Sequence, residues 1–275
     1  MLLHSDYGPN RGVEKFIAMK KGIGLFLDLL KKEPSFYLEN FDHLEIQDFA
    51  LPENLDSKSD FLVKEYKALL SGFKGTLSLH GPFKEMIPSS MDRQVQELTR
   101  NRFSQALLCG KALGCELMVV HSCFNPLMRY KEYKDNWLEN TSLFWDNFLP
   151  FCLQHEMVIA LENVWDSEPE PMLQLFQRFG NPSRFGACLD TGHAHIFSNL
   201  SIDQWVQILG KYLIHLHVHD NGGMEDEHLP PGQGTINFSG LNRLSDRSGL
   251  ALVSEVFGFV SEGKAFLDFY AKLPD

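Results

Sequence analysis

Short runs of β-forming residues alternate with longer amphipathic stretches along most of the chain, and this alternation limits the possible folds more than any other feature. Strands and helices in this order pair the strands in parallel through right-handed crossovers. Eight such units in 275 residues suit a (β/α)8 barrel, whose usual size is about 250 residues. The predicted strands are residues 2–5, 43–49, 76–81, 116–122, 158–164, 185–190, 213–220 and 251–257. The predicted helices are residues 13–32, 58–71, 93–113, 138–155, 171–179, 202–210 and 262–272.

A doubly wound open sheet is the main alternative fold, and it would carry a glycine-rich turn after its first strand. The sequence has no such turn, because Gly22 and Gly24 lie inside the predicted helix 13–32. No Pro-rich or low-complexity linker divides the chain. We therefore predict a single-domain α/β protein over residues 1–275, folded as one TIM barrel. Its longest irregular segment, residues 221–237, has the length and composition of a functional loop.

The chain is acidic, with 25 basic and 36 acidic side chains and a formal net charge of −11. This charge disfavours broad binding to nucleic acid, which usually requires a basic surface. The first residues lack the pattern of a secretory signal, and no apolar run reaches the roughly 18 to 20 residues that cross a bilayer. The five cysteines form no C-x-x-C pair, which disfavours disulfides and thiolate metal sites. We therefore expect a cytoplasmic protein with no membrane partner.

Six consecutive predicted strands end in a side chain that can bind a metal ion. The ends of parallel barrel strands meet at one face, so residues far apart in the chain come close together there. Four further candidates lie in loops: His193, three residues after Asp190, and Asp226, Glu227 and His228 in the segment 221–237. The six strand-end residues are His80, His121, Glu162, Asp190, His217 and Glu255.

Each of these residues alone has an ordinary structural explanation, such as a histidine that is hydrogen-bonded to a carbonyl group. Together they are harder to explain, because clustered carboxylates repel one another and lose hydration unless cations neutralise them. Imidazole and carboxylate without thiolate suit Zn²⁺, Mn²⁺, Co²⁺ or Fe²⁺. We therefore predict one to three divalent ions at the C-terminal face of the barrel, with Mg²⁺ as a further candidate.

Four segments of the sequence resemble a known family. They are ACLDTGHAH at 187–195, HVHDN at 217–221, DEHLPPGQGTI at 226–236 and SEVF at 254–257. With the strand-end residues, they resemble the xylose isomerase-like barrel superfamily. That superfamily includes sugar and sugar-phosphate isomerases and epimerases, and also the endonuclease IV type of abasic-site nuclease. The resemblance extends from about His43 to Phe257, and its motifs are specific to the superfamily rather than to one substrate.

The resemblance implies two sets of ligands on the same residues. In the epimerase type, one ion would bind Glu162, Asp190, His217 and Glu255. In the nuclease type, a first ion would bind His80 and His121 and share Glu162 with a second ion. The second ion would also bind Asp190, His217 and Glu255. The third would bind His193, Asp226 and His228. His215, His217 and His219 alternate along one predicted strand and can all face the same side; the family spacing to Asp220 and Asp226 favours His217.

Two chemistries follow from this resemblance. In the first, the protein is a metal-dependent isomerase or epimerase of a small sugar or sugar phosphate, in which Glu162 and Glu255 transfer protons and His193 holds a substrate oxygen. In the second, it is an endonuclease IV-like phosphodiesterase with three ions, and only then is nucleic acid a partner. Residues 48–57, DFALPENLDS, contain three acidic and no basic side chains, and residues 81–93 resemble the isomerase type. These two segments favour the isomerase. A metal-stabilised binding protein is a third possibility.

Overall fold

The computed structural model describes residues 19–181, 183–258 and 260–273 of the chain. Within these residues, parallel strands close into a barrel in chain order, and the last strand pairs with the first. This is the (β/α)8 TIM barrel that the alternation predicts. Its strands are β1 (Lys20–Leu25), β2 (His43–Ile46), β3 (Thr76–His80), β4 (Leu117–His121), β5 (Val158–Glu162), β6 (Phe185–Asp190), β7 (Leu213–Val218) and β8 (Ala251–Ser254).

One predicted helix shows ordinary capping at both ends. The helix predicted over residues 93–113 begins after Asp92, whose side chain accepts a hydrogen bond from the Gln94 N–H, and ends at Gly114, whose φ of 85° suits glycine. Among the described helices, none is both long and apolar enough to span a membrane. The helices are α1 (Leu27–Lys32), α2 (Pro34–Asn40), α3 (Pro52–Ser57), α4 (Ser59–Leu69), α5 (Arg93–Leu113), α6 (Tyr133–Gln154), α7 (Glu170–Phe179), α8 (Thr191–Phe197), α9 (Ile202–Leu209) and α10 (Val260–Tyr270).

The first strand differs from the sequence prediction. Residues 2–5, predicted as that strand, lie outside the described residues, and the first barrel strand is β1, within the segment 13–32 for which the sequence predicts a helix. The helix prediction is therefore wrong for residues 20–25. Gly22 pairs with Val253 of β8, and a Cβ atom on Gly22 would come within 2.8 Å of the Val253 side chain. Glycine at this position thus allows β1 to lie beside β8 and close the barrel.

The apolar core lies between the strands and the helices, and the barrel interior is partly polar. The interior of such a barrel is usually filled by branched apolar side chains. Here a small apolar cluster of Val119, Ala160 and Cys188 fills only part of it. The other buried side chains that meet across the interior are polar, namely His43, Glu45, Ser78 and His215. This polar layer lies directly below the face at which the predicted ligands meet.

Candidate metal centre

The strand ends bring the predicted ligands to one face of the barrel. The last residue of each strand from β3 to β6 is a predicted ligand, and Glu255 directly follows β8. The register pairs His121 with Glu162 on neighbouring strands, and Asp190 with His217. Side chains that are separated by up to 175 positions in the sequence therefore become neighbours through the closure of the barrel alone.

Four of these side chains form a compact group that fits a divalent ion. Glu162, Asp190, His217 and Glu255 each offer one ligand atom, and these atoms lie within 4.8 Å of one another. The His217 Nδ1 atom lies 3.4 Å from Glu162 Oε1, and it is 3.2 Å from Glu255 Oε2. This nitrogen is buried and makes no hydrogen bond to any described residue. A buried nitrogen left without a partner among three carboxylates is the environment that a cation would satisfy.

Glu162 connects this group to a second set of ligands. Its Oε2 atom lies 3.2 Å from His80 Nε2 and 3.5 Å from His121 Nε2. Its Oε1 atom faces the opposite way, 3.3 Å from His193 Nδ1 and 3.4 Å from His217 Nδ1. The two oxygens of one carboxylate therefore face two different histidine pairs. This arrangement is suited to a carboxylate shared between two ions.

The third predicted set lies where the loop 221–237 meets α8. The Asp226 Oδ2 atom is 3.4 Å from His193 Nε2 and 3.1 Å from His228 Nε2. Asp226 is 40% exposed at its side chain, whereas the carboxylates of the quartet are buried. All nine predicted ligands therefore lie together at the mouth of the barrel, with the loop ligands nearest to solvent.

Asp220 holds the loop 221–237 in place. Its Oδ1 atom accepts hydrogen bonds from the N–H groups of Asn221 and Ile236 at 2.9 and 3.1 Å, and its Oδ2 atom accepts one from Gly232 at 2.8 Å. An antiparallel bridge between Asp220 and Leu229 pins the middle of the loop. One buried carboxylate thus binds the start, middle and end of the segment that carries Asp226 and His228.

His219 is a buried site residue that the sequence analysis passed over. Its Nε2 atom lies 3.1 Å from Asp190 Oδ2, and its ring stacks on His228 with centroids 3.9 Å apart. A Cβ atom on Gly192 would overlap the His219 ring, so the glycine of the D-T-G-H motif makes room for this histidine. The alternation of His215, His217 and His219 on one face of the strand was the signal that pointed to it.

Glu45 and Gln47 were also missed. Glu45, on β2, lies inside the barrel and contacts His217, and the Gln47 amide lies between Glu45 and Glu255 at 3.1 and 3.3 Å. Both residues belong to the segment 43–49, whose alternation resembles that of any half-buried strand. The pattern of that segment alone gives no sign that it faces a site.

The electrostatics of the site follow from its excess of carboxylates. Burial raises the pKa of the Glu162 carboxyl, but the positive charge of His217 and a hydrogen bond from a neighbouring imidazole outweigh it, so the pKa lies well below its usual range. Burial lowers the pKa of His121 to about 3, so this ring is neutral. For His228, burial is outweighed by Asp226 and Glu255, which raise the pKa to about 9. Carboxylates that hold protons on neighbouring imidazoles in this way also attract divalent cations.

A cavity of about 280 Å³ opens onto several of the predicted ligands. This volume is near the lower end of the range for small-molecule sites. Three phenylalanines line it, and Phe83 also stacks on His121 with centroids 4.7 Å apart. Lys84 supplies the one ammonium group among the described residues that line the cavity. The lining residues other than predicted ligands are Phe26, Gln47, Ala50, Leu51, Phe83, Lys84 and Phe257.

Comparisons with known proteins agree with this fold. A family model described as a xylose isomerase-like TIM barrel matches residues 39–263. An uncharacterized protein of Methanocaldococcus jannaschii is 29% identical over 206 residues, which cover 72% of this chain and 68% of that protein. The crystal structure of a D-tagatose 3-epimerase-like protein is 26% identical with a TM-score of 0.75, and the match covers 92% of this chain and 96% of that one.

A nuclease is also among the relatives. A probable endonuclease 4 of Mycoplasmoides gallisepticum is 26% identical over 182 residues, which cover 59% of this chain and 57% of that protein. Both branches of the resemblance seen in the sequence are therefore found among proteins of similar sequence. The epimerase-like structure covers much more of the chain than the nuclease does.

Proposed function

This chain belongs to the xylose isomerase-like TIM barrel family, and on that premise we propose that it is a metal-dependent isomerase or epimerase of a small sugar or sugar derivative. The observation that carries the proposal is the quartet of Glu162, Asp190, His217 and Glu255, in which the His217 Nδ1 atom has no hydrogen-bond partner among the described residues. Glu162 and Glu255 of this quartet line a cavity of about 280 Å³, a size suited to a small molecule. The similarity to a D-tagatose 3-epimerase-like protein supports a sugar as the substrate class.

The residues of the site have different roles in the proposed proton transfer. A divalent ion bound by the quartet would polarise a substrate carbonyl and acidify the adjacent C–H bond. Glu162 and Glu255 come from β5 and from the end of β8, so they approach a substrate in the cavity from different sides. One would remove the proton from carbon and the other would return it. His193, whose Nε2 atom points toward Asp226, would hold a substrate oxygen.

Burial of the site supports this chemistry. The side chains of Glu162 and Glu255 are 1% and 6% exposed, so little water competes for their protons. Phe26, Phe83 and Phe257 line the cavity beside them and can pack on the C–H groups of a sugar. A carboxylate that is largely shielded from water is an effective general base when the substrate is acidified beside it.

Phosphodiester hydrolysis is the second candidate, and the third set of ligands supports it. The geometry of His193, Asp226 and His228 adds a third group that a single-ion isomerase does not require, and a probable endonuclease 4 is among the relatives. Against it, the segment between β2 and α4 carries the exposed acidic residues Glu53 and Asp56 besides the buried Asp48, and Lys84 is the one lysine on the described cavity lining. A duplex would meet more negative than positive charge there.

The decisive experiment is to measure bound metal in the purified protein and then assay it with two kinds of substrate. A panel of ketoses in deuterated water reports isomerase or epimerase chemistry as deuterium in the sugar, and a duplex with one abasic site reports incision. We expect deuterium uptake into at least one sugar. Incision of the duplex with no uptake into any sugar would overturn the isomerase proposal in favour of the nuclease.

Glu162→Gln tests whether the centre is correctly placed. The change removes a charged ligand and a proton acceptor without changing the shape, so we expect a loss of activity of at least about 100-fold and weaker metal binding. Glu116→Gln is the matched control, because Glu116 is exposed and immediately precedes β4 at the opposite end of the barrel. Full activity in the Glu162 variant would show that the reaction occurs elsewhere.

A further inference from the structure

Glu45 is a charged side chain in an unusual place, the interior of the barrel. It is fully buried, and its carboxylate lies among four hydrogen-bond donors. Its Oε1 atom is 3.0 Å from His217 Nε2 and 3.1 Å from Gln47 Nε2. Its Oε2 atom is 2.9 Å from His215 Nε2 and 2.8 Å from Ser78 Oγ. A buried carboxylate is costly, so a position with four such partners requires an explanation.

The direction of these hydrogen bonds is fixed by a chain that starts at the N-terminal face. Lys20 Nζ donates to Thr76 Oγ1 at 3.1 Å, and the Thr76 hydroxyl donates to His43 Nδ1 at 2.8 Å. His43 Nε2–H then donates to Ser78 Oγ at 2.8 Å, so the Ser78 hydroxyl donates its own proton to Glu45. A carboxylate can only accept, so the Ser78 hydroxyl donates to Glu45 and accepts from His43 Nε2–H. Burial lowers the pKa of His43 to about 3, so its ring is neutral and its Nδ1 accepts from Thr76. Glu45 is the acceptor at the end of this chain.

The bond to His217 determines which nitrogen of that ring is free. An imidazole that binds a metal ion is neutral and carries one N–H, so an Nε2–H that donates to Glu45 leaves the lone pair on Nδ1 for the ion. The Nδ1 atom is the one that faces the carboxylates of Glu162, Asp190 and Glu255 and lacks a hydrogen-bond partner among the described residues. Histidines that bind metals commonly donate their other N–H to a carboxylate, which orients the ring and increases its basicity.

We propose that Glu45 is a positioning residue for the metal centre: by accepting the Nε2–H of His217, it holds the Nδ1 lone pair toward the ion. The inference rests on the proposed function, because it requires that His217 binds a metal. Glu45 also reaches a second ligand indirectly, since the Gln47 amide is 3.1 Å from Glu45 Oε1 and 3.3 Å from Glu255 Oε1. One carboxylate below the site thus orients ligands from β7 and from the end of β8.

Glu45→Gln is the sharpest test, because the glutamine amide has nearly the same shape. Its NH₂ group can donate to His217 Nε2, which would move the ring proton to Nδ1, where it would block the metal. We expect the dissociation constant for Co²⁺ or Zn²⁺, measured by titration of the metal-free protein, to rise about 10- to 100-fold. The visible spectrum of the Co²⁺ protein should change as well, because the coordination of the ion changes.

Ser78→Ala is the matched control. It removes a donor to the other oxygen of Glu45 and leaves the Glu45–His217 contact in place, so metal affinity should stay within about threefold of that of the natural sequence. Equal metal affinity and equal Co²⁺ spectra in the Glu45→Gln variant and the natural sequence would overturn the role of Glu45. If the natural sequence binds no divalent metal at all, the proposed function fails first, and this role fails with it.

A measurement on the unchanged protein keeps the inference testable if the Glu45 variant does not fold. Long-range ¹H–¹⁵N NMR correlations of the histidine rings report which nitrogen carries the proton. We expect the His217 ring of the Zn²⁺-bound protein to carry its one proton on Nε2 and to exchange it slowly because of the bond to Glu45. A neutral His217 ring with its proton on Nδ1 alone would contradict the proposed arrangement.

Discussion

Asp166 is a buried carboxyl group that takes no part in the proposed chemistry. It is fully buried, its Oδ2 atom accepts hydrogen bonds from Ser122 Oγ at 2.5 Å and from the Val164 N–H at 3.1 Å, and its Oδ1 atom has no partner among the described residues. Burial raises the pKa of this carboxyl to about 7, although these hydrogen bonds act in the opposite direction. Asp166 should therefore change charge near neutral pH, with consequences for stability.

The first prediction follows from this pKa. The unfolded chain has the ordinary value of about 4, so between about pH 4 and pH 7 the folded protein binds more protons than the unfolded chain, and its stability falls as the pH rises. From pH 5 to pH 8, we expect the natural sequence to lose about 2 to 3 kcal/mol of unfolding free energy relative to Asp166→Asn. Urea unfolding of both proteins at the two pH values measures this difference. Parallel pH dependence in the two proteins would refute the shifted pKa.

The residues whose importance could be predicted from the sequence differ in one physical respect from those whose importance could not. His80, His121 and Glu162 could be predicted because each is a polar residue that ends a run of apolar ones. Glu45 and Asp166 could not, because their importance arises from contacts with residues on other strands and loops. A polar residue within an alternating segment looks like the solvent side of a strand. Only closure of the barrel turns that side inward.

At the scale of the elements, β1 also could not be predicted from the local sequence alone. In the segment KKGIGLFLDLL at 20–30, apolar residues suit both a strand period and a helix period. The choice is made by tertiary structure, since β1 pairs with both β2 and β8 and no barrel closes without it. The helix over residues 93–113 could be predicted accurately because its signals are local: a capping aspartate at its start and a glycine after its end.

The loop 221–237 supports a prediction about Asp220, whose carboxylate accepts hydrogen bonds from three backbone N–H groups. Asp220→Ala leaves these groups without their acceptor, so we expect a loss of about 2 to 4 kcal/mol of stability. Amide hydrogen exchange around Gly232 and Ile236 should become faster. Metal bound at the more exposed set of His193, Asp226 and His228 should be lost before metal bound at the buried quartet.

Hydrogen exchange by mass spectrometry and metal counting per chain check this prediction together. Glu227→Ala is the control, because the Glu227 carboxylate also accepts a backbone hydrogen bond in the same loop, from Gly222 at 2.7 Å, but at the exposed tip. That variant should exchange faster only near Gly222. If the Asp220 variant exchanged no faster than the Glu227 variant around Gly232, Asp220 would not be what holds the loop.

At the scale of the whole molecule, several of the acidic side chains behind the net charge of −11 lie close together. Three of the acidic side chains form the quartet with His217, and Glu45 lies directly beneath them, all four at the centre of the barrel. Folding brings these carboxylates together, which costs free energy through mutual repulsion and lost hydration. Protonated histidines offset part of this cost. Bound divalent ions would offset the same cost more effectively, so metal binding and stability should be linked.

The last prediction is that metal raises the melting temperature of the whole barrel. A free ion at about 100 times its dissociation constant adds about 2.7 kcal/mol if it binds only the folded state. For a chain of this length that corresponds to roughly 5 to 10 °C in melting temperature. The increase should diminish as the pH falls from 8 to 6, because protons compete with the ion for imidazole and carboxylate groups. Differential scanning calorimetry with chelator and with Zn²⁺ or Mn²⁺ measures this increase.

Glu162→Gln should lose most of the increase in melting temperature and Glu116→Gln should keep it, since only the first change removes a proposed ligand. A shift that is equal in both variants would mean that the ion binds outside the quartet. The buried carboxylates at the centre of the barrel would then be stabilised by imidazole–carboxylate pairs alone.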